Sequence, residues 1–462
     1  MTRPPAPHAG SSSQIPISQS VEMPTPLKIA IIGAGPAGLT CGLALARRGI
    51  DITIVERGAN HLETATYNPN RSYTIDITGH GKKAVDHVGA SKRFDQELIR
   101  FRGLKYALPI WTNLAPNKTI TEDYPGQGWT GSRGDICRVL QAELSQVKSP
   151  STRLVFSTQA HLIDARKGIL LLESTDNTIS HEETFDMIIG CDGGGSATRS
   201  SLQQLDPSFS VSSMDLGNHS IMLHLDQHLD ELNPEYLYVH AVRPVAAVTG
   251  AINGSNGPKD PRWFCQLGFS GFRRFASADE AKKFLQQTQP LLLRYASPAR
   301  IAEFSQRDCI PTGKSKRCSS LVSGRVVLLG DAGAPVPPIG QGVNAAMESA
   351  MVLDQCLALA QQQSSGPDAI VAQAQDHFLA RWTPEADALR EIALTVDLSK
   401  SYTSKRLLLA GALGYSGVAN AKKEELSYQQ AWMTFRTWER RLRFSPLRWL
   451  IPGSIKNEQS GL

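Results

Sequence analysis

The sequence predicts an α/β protein: a discontinuous Rossmann-like domain with an inserted antiparallel β-sheet domain, followed by a C-terminal helical region. Three observations predict it. Strand, glycine turn, helix and second strand follow one another from Leu27, as KIAII, GAGPAGLT, CGLALARRGI and DITIVER, which is a βαβ unit. Two later short apolar strands, in FDMIIGCDGGG and GRVVLLGD, each end in glycine beside aspartate and return the chain to the same sheet. Between them, residues 218 to 273 change to β-branched and aromatic runs broken by Gly, Pro and Asn, the pattern of antiparallel strands.

Taken in order, residues 1–26 are rich in Pro and Ser, lack the apolar core of a secretory signal, and read as a disordered tail. Residues 27–105 hold the βαβ unit, and 106–129 are grouped with the later insertion. Over 130–147, GSRGDICRVLQAELSQV has a helical apolar period. TRLVFSTQAHLIDARKGILLLES alternates and turns at Lys167–Gly168, as a β ribbon does, and FDMIIG is the buried strand of a first-domain piece over 130–215. The insertion, 216–304, contains the strands NHSIMLHLD, EYLYVHAVRPVAAVTGAING and RWFCQLGFSGF, then a helix up to a boundary near Pro290. The strand GRVVLLGD and a helix over 344–363 return the chain to the first domain within 305–360; residues 361–462 are mainly helical.

Composition narrows the function. The chain has 462 residues, 41% hydrophobic and 20% charged, with a net charge of +5. These values exclude collagen, coiled coil and wholesale disorder, and they lack the dense basic surface of a nucleic-acid binder. Seven scattered cysteines without a CxxC argue against a zinc ribbon or a disulfide framework and for a reducing, cytoplasmic setting. The longest uncharged apolar-rich run, Leu407 to Ala421, has 15 residues, short of the ~20 that a membrane span needs.

The chemistry starts at Gly33, Gly35 and Gly38, a G-x-G-x-x-G between strand and helix. The first glycine permits the tight turn, the second lets a pyrophosphate approach the backbone, and the third allows close packing of helix on strand. The helix end then offers unpaired N–H groups to phosphate. Glu56 closes the second strand, 18 residues after Gly38, where a carboxylate can accept both ribose hydroxyls. An acid there favours a free 2′-hydroxyl, as in FAD or NAD; Arg57, next to it, is grouped with the cofactor-binding residues. Two further patches lie at the ends of buried strands, where α/β sheets place ligands. They are GCDGGGS (190–196), followed by Arg199, and GDAGAPVPPIGQGVN (330–344).

With these three signatures in order, the sequence resembles the class A, single-component flavoprotein monooxygenases. The resemblance implies FAD, with NADPH or NADH and O2 as co-substrates. It implies roles position by position: Glu56 on the adenosine ribose, Asp331 on the ribityl hydroxyls or phosphates, and Gly342, Val343 and Asn344 turning a helix end toward the flavin C2 carbonyl, where reduced flavin is negative. Arg133 matches the arginine at the ribityl–phosphate region, or else simply starts a surface helix. Asp192 supports the FAD fold and NAD(P)H use, or serves only its turn. No catalytic side chain is assigned, because a C4a-hydroperoxyflavin would carry the reactive oxygen. Within the group, RSYTI (71–75), GHGKKAVDHVGA and ADALREIALTVD are similar to kynurenine 3-monooxygenases. His80 stands where those have an arginine for the substrate carboxylate, Ala334 replaces the usual histidine, and the loop after it is shorter by about one residue. The implied activity is hydroxylation or epoxidation of a hydrophobic, partly aromatic small molecule in specialised metabolism. An oxidase, reductase or cyclase on the same scaffold, or a non-catalytic flavoprotein, is the alternative.

Other residues carry chemistry of their own. His224, Tyr236, Tyr238, His240 and Gln266 are candidates to point from the inserted sheet into the pocket. HLDQH, TGKSK and GYSGV resemble a zinc site, a P-loop and a nucleophile elbow, but each lacks a required residue, and no metal site is assigned. At the C-terminus, residues 432–456 combine six basic residues, Glu439 and several aromatics. The segment reads either as a peripheral membrane contact or, the favoured reading, as a terminal helix packed on the core, with a kink at Pro446.

Overall fold

The structure is a computed structural model that describes residues 27–443 apart from 66, 69–71, 108–119, 149–151, 177, 227–230, 241–244 and 401–402. Its central sheet has the order Val322–Ser323, Val326–Leu328, Met187–Gly190, Lys28–Ile32, Asp51–Val55, Thr152–Val155. All pairs are parallel except the first, an antiparallel edge. A parallel sheet is covered on both faces and needs continuous apolar strands, which KIAII, DITIV, MIIG and VVL supply. On one face Ile29, Ile31, Ile52, Ile54 and Val327 pack with the buried sides of helices Pro36–Arg47, Arg133–Leu144 and Gly342–Gln363. On the other, Ala30, Ile32 and Ile188 meet Leu170 and Leu172 of a three-stranded sheet, and Phe185 just after it.

The ribbon expected over TRLVFSTQAHL divides. Thr152–Val155 joins the central sheet, and only Thr158–Asp164 pairs with Ile169–Ser174. Ser157 lies between them at φ 49, a left-handed conformation that interrupts a strand.

The second sheet has eight strands, in the order Ile310–Pro311, Asn218–His224, Gly257–Ser270, Ala246–Gly254, Tyr236–His240, Ile99–Ala107, Ile120–Gly131, Ile75–Ile77. Ile75–Ile77 and Ile99–Ala107, grouped by sequence with residues 27–105, hydrogen-bond into this sheet. The sheet is mostly antiparallel, but Tyr236–His240 runs parallel to Ile99–Ala107. These strands come from distant parts of the chain, so no hairpin dictates their direction.

Alternation gives the sheet two distinct faces. Ile221, Leu223, Cys265, Leu267, Tyr236 and Tyr238 pack on Phe284, Leu285, Ile301 and Phe304, from helices Ala278–Thr288 and Pro298–Ser305. The opposite face is turned away from these helices, and Met222, Ile252 and Phe264 cluster on it with Tyr67. There a β-carbon at Gly250 would meet Thr74, and one at Gly268 would meet Leu398. The C-terminal region is helical over Pro367–Leu394, Thr403–Ala412, Gly417–Asn420 and Tyr428–Arg443. Among the described residues, no helix is long and apolar enough to cross a membrane.

Candidate cofactor site

The glycine turn is built as its spacing requires. Gly33 has φ +102, and a β-carbon there would lie 2.7 Å from the Cys191 carbonyl oxygen; one at Gly38 would lie 1.9 Å from the Gly33 oxygen. The turn is therefore held against the Asp192 loop, and the helix against the turn. The helix Pro36–Arg47 has no side-chain cap and no acidic residue in its first turn. The same holds for Gly342–Gln363. By contrast, Arg133–Leu144 is closed by reciprocal bonds between Ser132 and Asp135, and Ala197–Leu205 by Ser196. Helices Gly79–His87, Ser91–Glu97 and Pro298–Ser305 are uncapped too, but the ends at Pro36 and Gly342 are those that sequence reasoning turned toward a ligand, and their free amides and dipoles suit an anion.

Charged groups complete the cradle. Arg133 Nη2 lies 3.1 Å from the place a β-carbon on Gly35 would occupy, so the guanidinium covers the side-chain-free spot at the start of the first helix. Glu56 accepts from the amides of Ala34 and Gly58, each at 2.8 Å. It clamps the turn, and each oxygen keeps a lone pair for a ribose hydroxyl. Arg57 is exposed to solvent and is not drawn into this cluster.

Asp331 faces open space yet is ringed by protein. That burial raises its carboxyl above the usual range, while the Arg133 and Arg199 cations oppose the rise. Its Oδ1 lies 4.0 Å from a β-carbon position on Gly342, so the acid and the second helix end share one spot. A narrow crevice opens there, lined by Asp331, Ala334, Val336, Gly342, Trp382 and Ala386. Val343 is half-buried against the core. Asn344 is buried. Its Oδ1 accepts from Thr78 N at 2.9 Å and its Nδ2 donates to Asp76 O at 2.8 Å, which leaves only its backbone amide to face a cofactor.

Asp192 serves its own turn. Its Oδ2 accepts from the amide and hydroxyl of Thr198 at 2.9 and 3.1 Å, capping a turn, while its buried Oδ1 has no partner among the described residues. Arg199 locks the two acidic loops together. It is 1% exposed and donates to Gly194 O at 2.6 Å, Ala332 O at 2.6 Å and Asp331 O at 3.2 Å.

Two groups of residues escaped sequence reasoning. Tyr73, 37% exposed, lies in the field of Asp331 and Arg133; partial burial and the Asp331 carboxylate raise its phenol, and Arg133 opposes them. RSYTI was singled out, but nothing in it marks the tyrosine. Lys422, Asp76, Gln341 and Tyr428 meet behind the second helix end. No local signal links residues that far apart in sequence.

The pocket candidates from the inserted sheet separate by face. His224 and Gln266 lie on the face turned away from the covering helices. Tyr236 and Tyr238 lie in the helix-covered core, and His240, paired with Ala247, shares their face. Sequence gives a strand's alternation but not which parity faces the site. Burial holds both His224 and His240 down at about 4, and Arg307 adds to the effect at His224. In the C-terminal helix, Phe435, Trp438 and Leu442 are buried with Ala410, while Arg440 and Arg441 are exposed. Residues 444–456 of the proposed membrane segment, with Pro446, lie outside the described residues.

A phosphate-ready glycine turn, a ribose acid and a second open helix end beside Asp331 all lie at one edge of a parallel sheet. They define an FAD-binding flavoprotein. Residues 26–78 and 151–378 match the family described as FAD binding domain, and the chain belongs to that family. It is similar to kynurenine 3-monooxygenase of Xanthomonas campestris pv. campestris, 26% identical over 380 residues, which span 80% of this chain and 78% of the relative. The same enzyme of Caenorhabditis briggsae is 25% identical over 393 residues, 79% of this chain and 80% of the relative. Among solved structures, 2-methyl-3-hydroxypyridine-5-carboxylic acid oxygenase superposes with a TM-score of 0.64 at 19% identity, covering 86% of this chain and 97% of that one. PqsL of Pseudomonas aeruginosa gives 0.61 at 18%, covering 84% and 100%. The chain is an oxidoreductase of the FAD-dependent monooxygenase class.

Proposed function

We propose that the protein uses NADPH or NADH and O2 to insert one oxygen atom into a hydrophobic, partly aromatic small molecule without an amino-acid head group. Bound FAD would supply the electron transfer and oxygen activation; the chain supplies binding, orientation and exclusion of water. Gly33–Gly38, Arg133 and Glu56 would hold the adenosine and phosphates. Asp331 would hold the ribityl chain, and the amides at Gly342–Asn344 would face the negative edge of the reduced ring.

The observation that carries the substrate reading is the face of the eight-stranded sheet turned away from the covering helices. Register aligns Met222, Gln266, Val248, Val239 and Tyr106 in one row, beside Phe264, Leu237 and Leu104 in the next. The centre of this face is apolar apart from a Gln266–Ser220 bond of 3.2 Å, and its polar groups lie toward the margins: Asn218, Glu122, which bonds Tyr106 at 3.0 Å, Arg262 over the Tyr67 ring at 3.7 Å, and His224, which bonds Tyr67 at 2.8 Å and Arg307 at 3.3 Å. His80, where the kynurenine enzymes have an arginine, is 1% exposed, lies 2.8 Å from Glu348 and stacks on Tyr428 at 4.1 Å. A substrate carboxylate would find no free cation at His80. The relatives' names, a kynurenine 3-monooxygenase and a hydroxypyridinecarboxylic acid oxygenase, support ring oxygenation as the reaction type.

The test is NAD(P)H oxidation by the yellow holoprotein across a panel of neutral aromatic and polyunsaturated compounds, with 18O2. Stimulated oxidation with one labelled atom in the product supports the reading. Stimulated turnover that yields only unlabelled product and hydrogen peroxide refutes it.

A further inference from the structure

The C-terminal region sends one charge to the flavin-facing helix end. Lys422 Nζ lies 3.0 Å from Asp76 Oδ2, and the two side chains are 8% and 5% exposed. A β-carbon at Gly340 would stand 2.9 Å from Lys422 Nζ and 3.5 Å from Asp76 Oδ1. The ion pair therefore abuts a residue with φ +75, two positions before Gly342. Other groups fasten the same spot. Asn344 Nδ2 donates to Asp76 O and to Gly340 O at 2.8 and 3.1 Å, Gln341 Nε2 donates to Gly340 O at 2.7 Å, and Tyr428 donates to Gln341 Oε1 at 3.3 Å.

Apolar side chains could fasten two segments without the desolvation that a buried ion pair incurs. What the pair adds is charge at a fixed place, and the place is the turn that presents the Gly342–Asn344 amides. We propose that Lys422 is a positioning residue for the bound flavin. It fixes the helix tip through Gly340 and biases the ring toward its reduced, negatively charged form, while Asp76 limits that bias. This inference rests on FAD binding at the site described, not on the substrate.

Midpoint potentials of bound FAD, measured by dye equilibration in full-length K422M, K422R, D76N and the K422M/D76N double variant, test it. K422M leaves a buried carboxylate at the turn that presents the Gly342–Asn344 amides. Its reduction equilibrium is expected to fall at least tenfold, ~30 mV for a two-electron couple. D76N is expected to shift the potential the opposite way. K422R and the double variant are expected to return toward the wild-type value. A merely structural pair would change FAD affinity without opposed potentials, so single variants that shift alike, or do not shift, overturn the proposal. A double variant that behaves as K422M does overturns it too. Where K422M fails to fold or to hold FAD, D76N and the double variant still carry the sign test. Failure of the wild-type protein to bind FAD would instead refute the cofactor assignment itself.

Discussion

Replacing Arg133 with methionine isolates one contact of the cofactor cradle. The guanidinium lies against the side-chain-free face of Gly35, where the first helix would receive a pyrophosphate. The helix that carries Arg133 does not depend on it. Ser132 and Asp135 close that helix with bonds of 2.8 and 3.1 Å, and methionine is a good helix former. The expected loss is one charge-assisted hydrogen bond, ~1.5–3 kcal/mol, or a ~10- to 150-fold rise in the FAD dissociation constant. A second effect acts in the same direction. Arg133 is the first of two cations that oppose the burial of Asp331. With Arg199 alone left, the Asp331 carboxyl rises further and becomes a poorer acceptor for the ribityl chain. Titration of apoprotein with FAD, followed by flavin fluorescence at fixed ionic strength, measures the change, and thermal melts of the two apoproteins confirm equal folding. If R133M binds FAD within threefold of wild type and melts alike, the guanidinium is only a helix-start residue and the cradle argument fails.

Three further outcomes follow from the same geometry. Gly38→Ala places a methyl 1.9 Å from the Gly33 oxygen and is expected to lower stability by ~2–3 kcal/mol or more and to release FAD; Gly49→Ala, with nothing within 4 Å, bears only its positive φ and serves as the control in urea unfolding. Arg199→Leu leaves the carbonyls of Gly194, Asp331 and Ala332 without this donor, at ~1–3 kcal/mol per orphaned group; a urea midpoint unchanged from wild type would contradict this. His224 and His240, held down to about 4 by burial, bind protons more readily when unfolded, so they contribute full stability above pH ~6.5 and lose it as pH falls toward 4, at up to ~3 kcal/mol each; H240F should flatten that slope in urea titrations between pH 7.5 and 4.5.

What could be read from the sequence was local. The Gly33–Gly38 turn, Glu56, Asp192 and Asp331 each sit in a short run whose spacing fixes its own geometry, so strand, turn and helix end could be placed without knowing the partners. What escaped was long-range. Lys422 meets Asp76 across 346 positions, and neither residue carries a mark of the other. Strand pairing has the same character: Ile99–Ala107 reads as a strand, but nothing in it says that its parallel neighbour is Tyr236–His240. Facing is a matter of parity, so sequence leaves Tyr236 and Tyr238 as pocket candidates beside His224 and Gln266, although they lie in the helix-covered core. At the C-terminus the aromatic positions pack as the favoured reading expects: Phe435 and Trp438 are buried with Ala410, while Arg440 and Arg441 are exposed.

The uncapped helix ends at Pro36 and Gly342 explain why one ligand class fits both halves of this site. A single anion would satisfy the first end, as phosphate does in many nucleotide sites. The second end is different, because Asp331 stands beside it and would repel a permanent anion. A group that becomes negative only on reduction, and that also carries hydroxyls for the acid to bind, meets both demands; phosphate or a second nucleotide charge does not. Arg199 holds the carbonyls of the Asp331 turn, including that of Asp331 itself, and Asn344 holds the second helix to the strand Ile75–Ile77. Acid and amides thus keep their separation without the cofactor. The site is organised by the protein's own bonds before anything binds, and this preorganisation lets the helix end act on charge that develops later.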